Sequence, residues 1–126
     1  MIDKVSLVVM NWLRPDVLKN ILDVLVEYEI IDEVIISHGR EDTFFIHDNP
    51  KIINKKHWGK INEEYGLSRR FISASEAKNE VILMIDDDEY PSEDYIKKLL
   101  DKYNKNPRRM YGRFGRNIKK GNYNYH

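Results

Sequence analysis

The chain has 126 residues, which suits one domain with a small core, and its 41% hydrophobic and 33% charged residues exclude a disordered or fibrous chain. Formal net charge is zero, and the absence of cysteine excludes disulfides and thiolate metal sites. No apolar run approaches the roughly 20 residues that a membrane span needs.

Val5-Ser6-Leu7-Val8-Val9-Met10 is β-rich and apolar on both faces, as a buried central strand requires. No basic segment with an apolar core and cleavage site precedes it. No signal peptide is therefore visible, and a complete chain of this kind is expected in the cytoplasm. Asn11-Trp12-Leu13-Arg14 forms a loop. Trp12 is expected to pack on the first strand, with stacking on a base as the alternative. Pro15 suits a first helical position, where a missing N–H costs nothing. Leu18, Ile21, Leu22, Leu25 and Val26 then follow at helical spacing, so a helix runs from about 15 to 28. Glu33 to Ser37 is a second strand, closed by His38-Gly39-Arg40. Strand, helix and strand at this spacing make a right-handed βαβ unit with a parallel pair.

Residues 41–61 carry mixed signals, with a candidate short strand at Lys51-Ile52-Ile53-Asn54. Leu67, Phe71, Ala74 and Ala77 mark one face of a further helix. Val81-Ile82-Leu83-Met84-Ile85 is apolar throughout, is expected to be central, and runs into Asp86-Asp87-Asp88-Glu89. Ser92 is a good N-cap, and Glu93 and Asp94 face the helix dipole in the first turn. Tyr95, Ile96, Leu99, Leu100 and Tyr103 give that helix its buried face. Met110 to Phe114 reads as a last strand, and Lys120 to Tyr123 as a possible hairpin turn. Residues 104–126 hold 7 Lys/Arg and no acid, against 14 Lys/Arg and 21 Asp/Glu in residues 1–103. Such a basic end either balances an acidic body as a solvated tail or meets phosphate, nucleic acid or an acidic surface.

This order implies an α/β fold: an open, mostly parallel sheet with helices on both faces, in a single domain over 1–126. In such sheets ligands bind beyond the carboxyl ends of the strands. Three loops distant in sequence, 11–14, 38–42 and 86–89, should therefore converge.

Three consecutive aspartates after an apolar strand repel one another at close range. A divalent cation would neutralise them, and hard carboxylate oxygens suit Mg²⁺ or Mn²⁺, which keep waters and share substrate phosphates. On extended backbone i and i+2 point the same way, so Asp86 and Asp88 should act together while Asp87 points elsewhere. Glu89 is expected to face solvent. The bland alternative is a solvated loop before the next helix. Arg69 and Arg70 precede the aspartates on a helix; one guanidinium suits a diphosphate, while the other should be exposed. Arg14 and Arg40 lie in loops at the ligand edge and could touch phosphate or base. His38 ends a strand beside them, suited to a loop or base-side contact rather than metal ligation. His47, His57 and His126 show no metal-ligand spacing. There is no Gly-rich phosphate loop, GxSxG or HExxH, and the tyrosines do not form a nucleic-acid stacking platform.

The run Asn79 to Asp88 resembles the DXD strand of GT-A glycosyltransferases, closest to the exostosin-like family that transfers N-acetylhexosamine or related sugars from UDP-sugars. Leu67-Ser68-Arg69-Arg70-Phe71 sits at that family's spacing ahead of the aspartates. Val5–Asn11 and Val34–Gly39 look like its first two strands, and Tyr111-Gly112-Arg113-Phe114-Gly115-Arg116 like the segment after its DXD helix. The similarity covers nearly the whole chain but only the first, nucleotide-sugar-binding half of a family catalytic domain. It implies that Asp88 coordinates Mn²⁺ (or Mg²⁺) and bridges it to the diphosphate. Asp86 would contact the ribose or, through water, the metal, and Asp87 the sugar. Arg70 would contact the uridine diphosphate, and Asn11 and the loop His38-Gly39-Arg40 would line the nucleoside pocket. Tyr65 stands where the family often has asparagine, and Ser37-His38-Gly39 replaces another asparagine-bearing loop. The resemblance thus implies a metal-dependent glycosyltransferase with a UDP-sugar donor and an acceptor of unknown kind, with nucleic acid not the expected partner. The alternatives are a UDP-sugar-binding module that lacks the acceptor half and a Mg²⁺-dependent nucleotidyltransferase.

Overall fold

A computed structural model describes residues 2–107. They fall into two compact units, residues 4–90 and a second one that includes residues 2–3 and the described chain from Pro91.

The first unit holds a four-stranded, all-parallel sheet with helices, an α/β fold. Its strands are β1 (Val5–Asn11), β2 (Ile31–His38), β3 (Ile52–Lys56) and β4 (Ile82–Ile85), in the order β3-β2-β1-β4. Every residue of β1 is buried, as is nearly every residue of β2, which explains why both read as unbroken apolar runs. Full burial of a side chain such as Leu7 or Ile35 contributes about 1.5–3 kcal/mol. Helix α1 (Pro15–Leu25) starts on its proline and buries Leu18, Ile21, Leu22 and Leu25. It stops short of residue 28, and two turn hydrogen bonds carry the chain on, from Glu27 N–H to Val24 and from Tyr28 N–H to Leu25. Lys51 holds this end: its ammonium donates to the carbonyls of Val26 (2.8 Å), Tyr28 (3.2 Å) and Ile31 (2.8 Å). A cation there suits the carbonyls gathered just past the helix's negative carboxyl end.

The candidate strand at 51–54 exists, displaced to Ile52–Lys56. Two short helices, α2 (Lys60–Tyr65) and α3 (Arg69–Ser75), flank a 3₁₀ turn at Gly66–Ser68. The mixed pattern before residue 61 did not announce α2, which buries no residue. In α3 the expected face is rotated: Phe71 is 42% exposed, whereas Arg69 and Ser73 are buried. Among the described strands β4 is also not central. Among the described residues it pairs with β1 alone and lies at the sheet edge, with three of its four residues half-buried. An apolar run reports what covers a strand's faces, not how many strands flank it.

At the amino edge of the sheet the Ser6 hydroxyl donates to Glu33 Oε1 (2.7 Å), which also accepts from Lys78 N–H (2.8 Å). Asn79 Nδ2 donates to Ser6 Oγ (3.0 Å) and to Asp32. This network ties the approach to β4 onto β1 and β2.

In the second unit, α4 (Glu93–Lys105) is capped by Ser92, whose hydroxyl accepts from Tyr95 N–H at 3.1 Å. It buries Ile96 and Leu100. Asn104 grips Ile2 in both directions, accepting from its N–H (3.4 Å) and donating to its carbonyl (2.9 Å). The strand expected at Met110–Phe114 and the turn at Lys120–Tyr123 lie outside the described residues. Among the described residues no helix is long and apolar enough to cross a membrane.

Candidate functional site

From β1 the chain moves one way across the sheet, through β2 to β3; β4 then inserts on the other side of β1. The order therefore reverses between β1 and β4, and a crevice opens beyond their carboxyl ends. Asn11–Arg14 leaves β1 and Asp86–Asp88 leaves β4 at that crevice. A cavity of about 520 Å³ lies there, lined by Met10, Trp12, Arg14, Asn62, Gly66, Arg69 and Asp86 to Asp88. Its volume is in the range of small-ligand sites.

The aspartates do not alternate as extended backbone would have them. The chain turns at once, with Glu89 N–H reaching the Asp86 carbonyl at 3.3 Å. The half-buried Glu89 carboxylate in turn accepts from Asp86 N–H at 2.8 Å. As a result Arg14 Nη1 lies 2.6 Å from Asp88 and 3.7 Å from Asp87, so these two share one guanidinium. Asp86 instead faces Arg70 at 3.4 Å. The pairing of Asp86 with Asp88 gives way because period-two geometry ends where the strand ends. The bond to Asp88, followed by its charge and that of Asp87, raises the affinity of Arg14 for its proton.

The two helix arginines divide differently from the sequence expectation, since neither is free on the surface. Arg70 stands beside Asp86 with a partly covered side chain. Arg69 is only 1% exposed. Its Nε donates to Ser37 Oγ (3.1 Å) and its Nη1 to Asn62 Oδ1 (2.8 Å) and the Gly66 carbonyl (3.1 Å). Its guanidinium lies 5.5 Å from the centre of the Trp12 ring, and that of Arg40 lies 5.4 Å from the same ring. Trp12 is not packed away on the first strand: it is 38% exposed and forms part of the cavity wall.

Asn11, His38, Gly39 and Arg40 stand beside the cavity rather than in its lining. Asn11 Nδ2 contacts His38 Nδ1 (2.9 Å) and donates to the Thr43 carbonyl (2.9 Å). The other imidazole nitrogen of His38 meets Asn54 Oδ1 (2.9 Å). A neutral ring protonated on Nε2 satisfies both neighbours. Burial pushes the pKa of His38 down, with the Asn54 bond opposing. Gly39 explains itself sterically. A Cβ placed there would lie 2.6 Å from Arg69 Cζ and 2.8 Å from the Trp12 ring, too close for either. Arg40 is half-buried and paired to Asp42 at 2.7 and 2.9 Å.

His57, given no role by spacing, is buried and bonds Ser37 Oγ through Nδ1 at 2.7 Å. Ser37 Oγ accepts from Arg69 and shares its other hydrogen bond with His57, which completes a line Arg69–Ser37–His57. Desolvation lowers the His57 pKa, and the nearby Arg69 charge adds to that effect.

Among the described residues no three His, Asp or Glu side chains are grouped tightly enough to enclose a metal by themselves. One or two carboxylates completed by phosphate oxygens and water is the arrangement that Mg²⁺ and Mn²⁺ commonly accept. The donor chemistry of Asp86 to Asp88 fits such an ion.

The profile of the glycosyl transferase family 64 domain matches residues 5–126. No curated protein matches the chain.

Proposed function

From the premise that this chain belongs to glycosyl transferase family 64 and is a glycosyltransferase, we propose that its donor is a UDP-sugar bound with Mn²⁺ or Mg²⁺ in the cavity at the β1/β4 switch point. The sugar transferred is a hexose or N-acetylhexosamine, and the acceptor is a glycan or similar nucleophile. The exostosin-like, GT-A character of the motif run belongs to the same proposal, as does a single nucleotide-sugar-binding domain over 1–126. The observation that supports this reading best is that three aspartates and Arg14, from loops about seventy residues apart in sequence, line one cavity at the carboxyl edge of the sheet.

When bound, the divalent cation acts as a Lewis acid that neutralises the departing diphosphate. Asp88 would hold it, with Asp86 assisting directly or through water and Asp87 turned toward the sugar. Arg14 and Arg70, now paired to these carboxylates, would turn to phosphate oxygens as the ion takes their place, since a guanidinium fork matches phosphate as well as carboxylate. Trp12 offers an apolar ring to the nucleoside side. Asn11, His38, Gly39 and Arg40 would shape that side from behind and position the wall.

Calorimetric titration of UDP tests the proposal, with and without Mn²⁺, on the native chain and on Asp88→Ala. UDP binding that Mn²⁺ tightens in the native chain, and that in the presence of Mn²⁺ falls at least about tenfold in the variant, is expected, as loss of a charged ligand costs more than about 1.4 kcal/mol. Equal UDP binding by both proteins, with or without Mn²⁺, would sink it.

A further inference from the structure

Arg69 is a buried cation with no carboxylate partner among the described residues. Three of its nitrogens are accounted for unequally. Nε and Nη1 bond to neutral oxygens of Ser37, Asn62 and Gly66. Nη2 is buried and has no hydrogen-bond partner. A guanidinium does not shed its charge in a protein, so it cannot escape as a lysine can. An uncompensated buried charge is costly, and water screens it little. The residue nonetheless lines the same cavity as the aspartates. The carboxylates there already have other cations, Arg14 on Asp87 and Asp88, and Arg70 on Asp86.

We infer that Arg69 is a built-in counter-charge for a phosphate or diphosphate group entering the cavity, and that it attracts this anion independently of any metal. The guanidinium is locked from three sides, so little conformational freedom is lost when the anion arrives. Gly39 keeps the space into which Nη2 projects, and Trp12 covers the cation's face. The inference deepens the proposed donor site but does not need the metal on which that site's own test depends.

Thermal unfolding in the presence of a chelator tests it, with inorganic pyrophosphate, UDP or uridine added at matched ionic strength. The native chain should gain several degrees in Tm with pyrophosphate and with UDP, and little with uridine. Arg69→Met should lose the gain from both phosphates, while Arg69→Lys, which keeps the charge but not the fork, should retain part of it. The idea is overturned if pyrophosphate leaves the native Tm unchanged, if Arg69→Met shifts as the native chain does, or if uridine alone gives the full effect. If Arg69→Met fails to fold, Arg69→Lys decides: a pyrophosphate shift equal to that of the native chain would overturn the idea, and a reduced shift supports it. Metal-dependent UDP binding lost in Asp88→Ala, together with no metal-free pyrophosphate effect, would remove this inference and leave the donor site standing.

Discussion

Single side chains at this site are constrained by what they touch more than by what they are. Gly39 has an ordinary backbone requirement but no room for a methyl group, because Arg69 and Trp12 occupy it. Gly39→Ala should therefore destabilise the fold by about 1–3 kcal/mol, the usual cost of overpacking, read from urea denaturation. It should also weaken UDP binding, because the cavity wall moves. The imidazoles of His38 and His57 are both held neutral by burial, with pKa values lowered from the ordinary one. The unfolded chain then binds more protons than the native one below about pH 6.5, the ordinary histidine value. Stability is fully present above that pH and is lost as pH falls toward the lowered native values. Tm should drop between about pH 6.5 and 5, and the double variant His38→Gln/His57→Gln should show a flatter profile over this interval. An unchanged slope in the variant would assign the acid sensitivity to other groups.

Elements differ in how firmly they are held. β1 has a strand on each side and no exposed residue, whereas β4 pairs on one side only among the described residues and is half-buried for most of its length. Edge strands open more readily than central ones. Native-state hydrogen exchange should accordingly show amides of β4 exchanging well before those of β1, and protection of β4 equal to that of β1 would contradict the edge placement. This bears on function because the aspartates leave directly from β4. An ion bound to them, as proposed, would tie β4 to its neighbours, and slower exchange in β4 on addition of Mn²⁺ and UDP is the matching observation.

For the whole molecule the decisive quantity is the charge balance around the cavity. Three aspartates and three arginines, Arg14, Arg69 and Arg70, stand at or beside the cavity, and although Arg69 pairs with none of the carboxylates, the formal charges of the unliganded site sum to about zero. A divalent cation alone leaves it positive and a diphosphate alone leaves it negative, while the two together restore the balance. Metal and nucleotide should therefore bind synergistically. Linkage requires that Mn²⁺ tighten UDP by the same factor by which UDP tightens Mn²⁺. Paired calorimetric titrations measure both factors, and additive binding with no coupling would contradict the balance.

The amino-acid sequence by itself determined the βαβ beginning, the parallel sheet and the loops that meet at one edge. These follow from local signals: apolar runs of strand length, a proline at a helix start, a helical stripe of leucines and isoleucines. It also singled out Asp86 to Asp88, because three adjacent carboxylates have no local structural purpose. What the tertiary structure alone decided are the relations between distant segments. Nothing near Val81–Ile85 says that it lies beside β1, on the side away from β2. Nothing near Arg69 says that Ser37, Asn62 and Gly39 enclose it, and the pattern instead presented Phe71 as the buried residue. Trp12 reached the cavity wall, and His57 joined Arg69 through Ser37, by the same kind of long-range packing. Burial of a polar side chain depends on partners that the fold brings from elsewhere in the chain, and hydrophobic periodicity carries no record of them.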